Sequence, residues 1–280
     1  MKKPQLILIL LGLLLFSVLY FFTPRFAATV GSATAQSNEN QIVTTESILN
    51  SAKLALSENQ KIALLSIENQ LKMASTKEDS IKSYNQLKRF WADSAQKLAP
   101  YLYFTYNAAL LENSEKSLTF AAQQLVDNLL TPDAPPALQP WIAGNAKVLL
   151  EKALVINPKN DSAKINLGAC YLFGNLSDNP MQGITKIKEV VDNDSTNSYG
   201  QFILALGGKK SGQYDKAIER FLSVLKIKPN HIEAMVHLAE CYELTNQNAL
   251  AIEWYTKVSN NVNIPEAKEA ISKRIQELKK

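Results

Sequence analysis

The run Ala217-Ile218-Glu219-Arg220-Phe221-Leu222-Ser223-Val224-Leu225, followed at a short distance by Pro229, decides how this 280-residue chain is built. Ala217, Phe221 and Val224 fall on one helical face, at spacings of four and three. Thirty-four residues further on the same face recurs as Ala251, Tyr255 and Val258, and Leu204-Ala205 recurs as Leu238-Ala239. The small residue in each set lets a neighbouring helix approach closely, and the aromatic and valine side chains fill the space one and two turns later. Gly212 suits the left-handed position after a helix end, and Pro229 cannot continue the helix before it. Each period therefore holds a helix, a turn and a second helix. The pattern predicts an all-α stack of helix hairpins in which every unit buries its apolar face on the next.

The echo extends in both directions. Ser198–His231 is the best copy, and Ile232–Asn263 follows with Leu238-Ala239, Tyr242, Ala251, Tyr255 and Val258. Upstream, Leu167-Gly168 and Tyr171 precede a second helix marked by Gly183, Ile187 and Val190, with a three-residue insertion in the loop Gly174–Pro180. Ala146, Leu150, Ala153 and Pro158 fit a further second helix. On these residues, positions 138–262 resemble the tetratricopeptide-repeat (TPR) family, at roughly three repeats plus a leading half repeat. The family's leading Trp is replaced by Lys164, Gln201 and Met235.

The resemblance implies an α-solenoid whose first helices line a concave groove for a protein or peptide. The implied groove positions are Ser162, Ile165, Ala169 and Leu172, then Tyr199, Phe202, Leu206 and Lys209, then Glu233, Val236, Glu240 and Glu243. Such a groove is apolar in its first two layers, around Tyr199, Phe202 and Leu206, and acidic in its third. An amphipathic helix or an extended apolar peptide with a basic end would fit it. The Lys/Asn pattern that clamps the carboxylate of chaperone tails is missing from these positions. Cover by the chain's own preceding helices is the competing expectation for Tyr199, Phe202 and Leu206.

The N-terminus reads differently. Leu6–Phe22 carries no charge and spans about 26 Å as a helix, enough for a bilayer core. The small-x-small site Ala33-Thr34-Ala35 lies well past this run, which favours a retained anchor over a cleaved signal peptide. Lys2 and Lys3 outweigh Arg25, which places the N-terminus in the cytoplasm and the remainder across the membrane. The expected organisation is a transmembrane anchor over 1–23, a flexible tether over 24–44 and diverged TPR-like hairpins over 45–130. Repeats over 131–262 and a capping helix over 263–280, opened by Pro265, complete it. Within 45–130, Ser57-Glu58-Asn59-Gln60 has the form of a capping box. Thr76-Lys77-Glu78-Asp79 starts a helix expected to run to Pro100, and Thr131–Pro136 is expected to be a hinge or long loop. The layout is similar to that of TPR proteins anchored in the bacterial inner membrane with a periplasmic domain. These include accessory factors that hold apoprotein in cytochrome c maturation. A helical oligomerisation segment over 45–130, hence a homo-oligomer, is the other arrangement open.

Composition narrows the function. The net charge is +4, and Lys2, Lys3 and Arg25 supply most of it, so no domain-wide basic footprint for nucleic acid remains. No P-loop, G-x-S-x-G, H-E-x-x-H or C-x-x-C motif occurs, no cofactor is implied, and the chain reads as non-enzymatic. The sharpest local constellation is Glu233, His237 and Cys241, four apart on one helical face, which could offer three metal ligands. The equivalent positions of neighbouring repeats do not reproduce it. Cys170 and Cys241 occupy the same position two repeats apart. With layers about 10 Å apart, they are expected to be buried, unpaired thiols rather than a disulfide.

Overall fold

A computed structural model of the chain describes residues 44–131, 135–176 and 180–280. The expected anchor, the tether up to Val43 and the site Ala33-Thr34-Ala35 lie outside the described residues. No helix among the described residues is long and apolar enough to cross a membrane.

Thirteen α-helices occur among the described residues. They are α1 (Thr45–Leu54), α2 (Glu58–Met73), α3 (Lys77–Arg89), α4 (Leu98–Glu112), α5 (Glu115–Leu130), α6 (Gln139–Ile156) and α7 (Asp161–Phe173). Then follow α8 (Met181–Asn193), α9 (Ser198–Lys210), α10 (Tyr214–Ile227), α11 (Ile232–Leu244), α12 (Asn248–Asn261) and α13 (Pro265–Leu278). Helices α5/α6, α7/α8, α9/α10 and α11/α12 pair as hairpins, and the first helices α5, α7, α9 and α11 also touch in succession. That succession marks the inner side of a TPR-like solenoid, on which α13 packs last, against α12.

The expected leading half repeat is a whole one. Helix α5 is the first helix of the hairpin whose second helix is α6, so the proline-rich stretch joins two helices of one unit and is no boundary between domains. Leu118, Ala122, Leu125 and Val126 of α5 and Ile142, Ala146, Leu149 and Leu150 of α6 belong to a single apolar core running from Leu102 to Val258. Burial of one such side chain stabilises by about 1.5–3 kcal/mol. A separate small core joins Leu56, Leu64, Leu87, Phe90, Trp91 and Phe104. Helix α4 belongs to both, through Leu102 and Ala109 on one side and Phe104 on the other.

The helix expected from Thr76 to Pro100 is two. Thr76 does cap its start, its Oγ1 accepting the Asp79 N–H at 3.0 Å, and Ser57 and Gln60 form the expected capping box. Helix α3 then passes into a π turn over Phe90–Ser94, closed by the Ala95 N–H donating to the Phe90 carbonyl at 2.9 Å. Pro100 sits in the first turn of α4, where a missing N–H costs nothing.

Turns recur with the repeat. Asn175, Gly212 and Asn246 follow the first helices with φ of 51°, 75° and 59°, the left-handed conformation that ends a helix. Asn160 and Asn197 cap α7 and α9 through side-chain oxygens that accept the Ala163 and Gly200 N–H groups at 2.8 and 2.9 Å. His231 does the same for α11, with Nδ1 accepting the Ala234 N–H at 3.2 Å. Glycine brings α7 and α8 together: a Cβ on Gly183 would lie 2.4 Å from the Gly168 carbonyl oxygen.

Candidate functional site

Helices α9, α11, α12 and α13 border an open cleft of about 300 Å³ at the C-terminal end of the stack, lined by Lys209, Glu240, Glu243, Leu244, Tyr255 and Arg274. Lys209 reaches it from the last turn of α9. Val236, Glu240 and Glu243, at spacings of four and three, lie along one side of α11, with His237 one turn before Glu240.

Each charge in the cleft has a partner. Lys209 Nζ contacts Glu240 Oε2 and lies 3.1 Å from His237 Nδ1, which is itself 2.7 Å from Glu240 Oε2. With a proton on Nδ1 the imidazole donates to the carboxylate; without one it accepts from the ammonium. Burial pushes the Glu240 carboxyl up, but hydrogen bonds from His237 and Lys209 and the lysine's charge outweigh it, leaving the pKa at about 2. Glu243 is held from the other side. The Arg274 guanidinium donates to both of its oxygens, through Nη2 to Oε1 and through Nε to Oε2 at 3.1 Å. Nη1 of the same arginine donates to Glu277 at 2.8 Å. The Tyr255 hydroxyl donates to Glu243 Oε2 at 3.2 Å. Burial and the nearby Glu243 charge push the Tyr255 phenol upward, so it is a donor at neutral pH.

The expected apolar groove is not there. Ile165, Ala169, Leu172 and Phe202 are buried in the main core, so the structure corrects their assignment as groove-lining residues. Ile165 and Leu172, seven apart on α7, pack against Gly200 and Gly207, seven apart on α9. A Cβ on Gly207 would crowd Leu172 and one on Gly200 would clash with Val191 of α8, so the two glycines let α9 settle onto the α7/α8 hairpin and cover it. Phe202 lies between α10 and α11, its ring centroid 5.9 Å from Phe221 and 4.9 Å from His231. Leu206 and Val236 are half-buried against the same core.

Tyr199 is enclosed by a polar ring. Its hydroxyl donates to Asn166 Oδ1 at 2.6 Å and accepts from Gln123 Nε2 at 3.1 Å, while Asn166 Nδ2 donates to Gln123 Oε1 at 2.6 Å. The ring joins α5, α7 and α9 across the inner side, and burial raises the phenol's pKa. Gln123 is not legible as an inner-side residue from the sequence, because α5 carries few motif residues to mark it as the first helix of a repeat. Of the implied groove, the cleft retains Lys209, Glu240 and Glu243. Arg274 and Tyr255 were missed because they reach the cleft from other helices.

The stripe Glu233, His237 and Cys241 does not converge as a ligand set. Glu233 is exposed, His237 turns to Glu240 and Lys209, and Cys241 is buried with its thiol pushed up to about 11. No group of three His, Cys, Asp or Glu side chains suited to a metal ion occurs among the described residues. Cys170 and Cys241 are both buried and unpaired.

The family described as RMD1-3, regulator of microtubule dynamics protein 1-3, matches residues 202–280, from within α9 to the end of the chain. No curated protein matches the sequence. Among solved structures, a crystal structure of MamA protein is similar at 15% identity and a TM-score of 0.42, covering 66% of this chain and 92% of that one. MamA residues 41 to the end from Desulfovibrio magneticus RS-1 align at 19% identity and a TM-score of 0.42, covering 65% and 95%. YrrB, described as a TPR protein with an unusual peptide-binding site, aligns at 17% identity and a TM-score of 0.42, covering 74% and 97%.

Proposed function

We propose that this protein is a non-enzymatic scaffold that binds a protein or peptide partner in the cleft between α9, α11 and α13. One observation carries the reading. On the inner side, where the N-terminal layers are sealed by their own side chains, this cleft combines open volume, partly exposed charges and an exposed apolar rim residue, Leu244. Ion pairs exposed to this degree contribute little to folding, about 0–1 kcal/mol each, so they can be exchanged for a partner's groups at small cost. The uncharged run Leu6–Phe22 and the excess of Lys2 and Lys3 over Arg25 support a single-pass anchor in a bacterial inner membrane, with the solenoid on the periplasmic side.

A photo-crosslinking amino acid placed at Leu244 of the full chain tests the cleft, with the same group at Val155 of α6, which is 83% exposed and outside the cleft, as the control. The expected result is a specific adduct from position 244 that weakens when Glu243→Ala is added and is missing from position 155. Equal adducts from the two positions, or indifference to Glu243→Ala, defeat the assignment.

A further inference from the structure

One carboxylate of the cleft is occupied from within the chain. Helix α13 has no buried residue and rests on the stack through Ile271, Ile275 and Leu278, each only partly covered. Its single arginine nevertheless reaches beyond α12 to Glu243 of α11, spending Nε and Nη2 on that carboxylate and Nη1 on Glu277. Glu240 needs no such visitor, since Lys209 and His237 already satisfy it. Glu243 depends on Arg274 for its charge partner, and Tyr255 adds only a neutral donor. With Arg274 withdrawn, Glu243 would stand in an open cleft beside a phenol and the exposed side chain of Leu244. A carboxylate that binds a planar fork, flanked by an aromatic ring and an apolar rim, is the chemistry that recognises an arginine side chain in a peptide.

We infer that Arg274 is an internal stand-in for a basic side chain of the partner: the cleft receives an arginine flanked by apolar residues, and α13 keeps the Glu243 carboxylate engaged until that arginine displaces Arg274. This rests on the reading of the cleft as the binding surface. A competitor held in the same molecule lowers apparent affinity by the fraction of time the site is free. Removing it should therefore tighten binding even though a positive charge is lost.

The test uses the full chain and a fluorescent N-acetylated tetrapeptide amide, Leu-Arg-Leu-Ala, followed by anisotropy, with a Glu-for-Arg peptide as the control. Arg274→Ala is expected to bind the arginine peptide about tenfold more tightly than wild type. Adding Glu243→Gln should abolish that gain, and the Glu-containing peptide should gain nothing. If α13 proves disordered in Arg274→Ala by hydrogen exchange, Arg274→Lys is the second variant. It keeps the charge as a point contact and should give a smaller gain in the same direction. Affinity for the arginine peptide that is unchanged or weaker in these variants overturns the stand-in, as does an equal gain for the Glu-containing peptide. Adducts from position 244 in wild type would persist in those cases, so a failed stand-in is distinguishable from a failed cleft.

Discussion

The two ends of the inner face do opposite things. At the N-terminal end, Gln123, Asn166 and Tyr199 form a neutral ring across α5, α7 and α9 with their polar groups turned on one another. At the C-terminal end, Lys209, Glu240, Glu243 and Arg274 form charged pairs across α9, α11 and α13 around open space. Helix α9 serves both, with Tyr199 at its first turn and Lys209 at its last. Register decides which face of a helix a residue lies on. Whether that face is interior or surface depends on what the neighbouring layer puts against it, and here Gly200 and Gly207 let one layer close where charged residues hold the next one open.

The comparison breaks most visibly at Phe202. As an interior residue packed on Phe221 and His231, it should lose about 3–5 kcal/mol of stability on change to alanine. Leu206, four residues on and half-buried, should lose less than half as much when changed in the same way. Urea unfolding of the two variants decides, and equal losses would return Phe202 to the surface. The polar ring comes next. Asn166→Ala removes both a donor and an acceptor and leaves Tyr199 and Gln123 short of partners, at a cost of about 1–3 kcal/mol. The same measurement on Glu243→Ala should show under about 1 kcal/mol, because its partner Arg274 is free to find water. A ring variant as mild as the cleft variant would mean that water already reaches Tyr199.

Much of this was legible in the residues. Ala217, Phe221 and Val224 and their echoes specified the hairpins from α7 to α12, because each of those positions is dictated by packing within or beside its own repeat. The interior of the expected groove was not legible. A glycine at position 200 or 207 appears in sequence only as a residue without a side chain, and its effect is to let α9 close on Val191 and Leu172 of the preceding hairpin. That α5 is the first helix of the leading repeat, rather than the last of the diverged hairpins over 45–130, is illegible for a related reason. Its small and apolar residues Leu118, Ala121, Ala122 and Leu125 pack as a first helix does, but nothing in them matches the motif's aromatic positions. Pro100 reads as a stop, yet a proline fits equally well in the first turn of the next helix, where it lies. Arg274 lies outside the repeat altogether, so no periodic argument could place it opposite Glu243.

The smallest effect expected separates the two ends by pH. Helices α7 and α9 begin on Asn160 and Asn197, which accept at any pH, whereas α11 begins on the Nδ1 lone pair of His231. Burial pushes the His231 pKa below its ordinary 6.5; Glu233 works against that shift, while Lys228 and His237 add to it. The unfolded chain therefore takes up this proton more readily than the folded one. Stability present above pH 6.5 is lost as pH falls below it. A protonated Nδ1 can no longer accept the Ala234 N–H, and a cap of this kind is worth about 1 kcal/mol. Glu240, held at about 2 against an ordinary 4.5, adds its own loss only below pH 4.5, outside this window. His231→Asn keeps the cap but loses the ring packed on Phe202, so it should be somewhat less stable at pH 7 and yet lose less than wild type between pH 7 and pH 5. Parallel curves for the two proteins would show that the α11 cap does not depend on the imidazole lone pair, and the contrast between the repeat ends would then rest on the ion pairs alone.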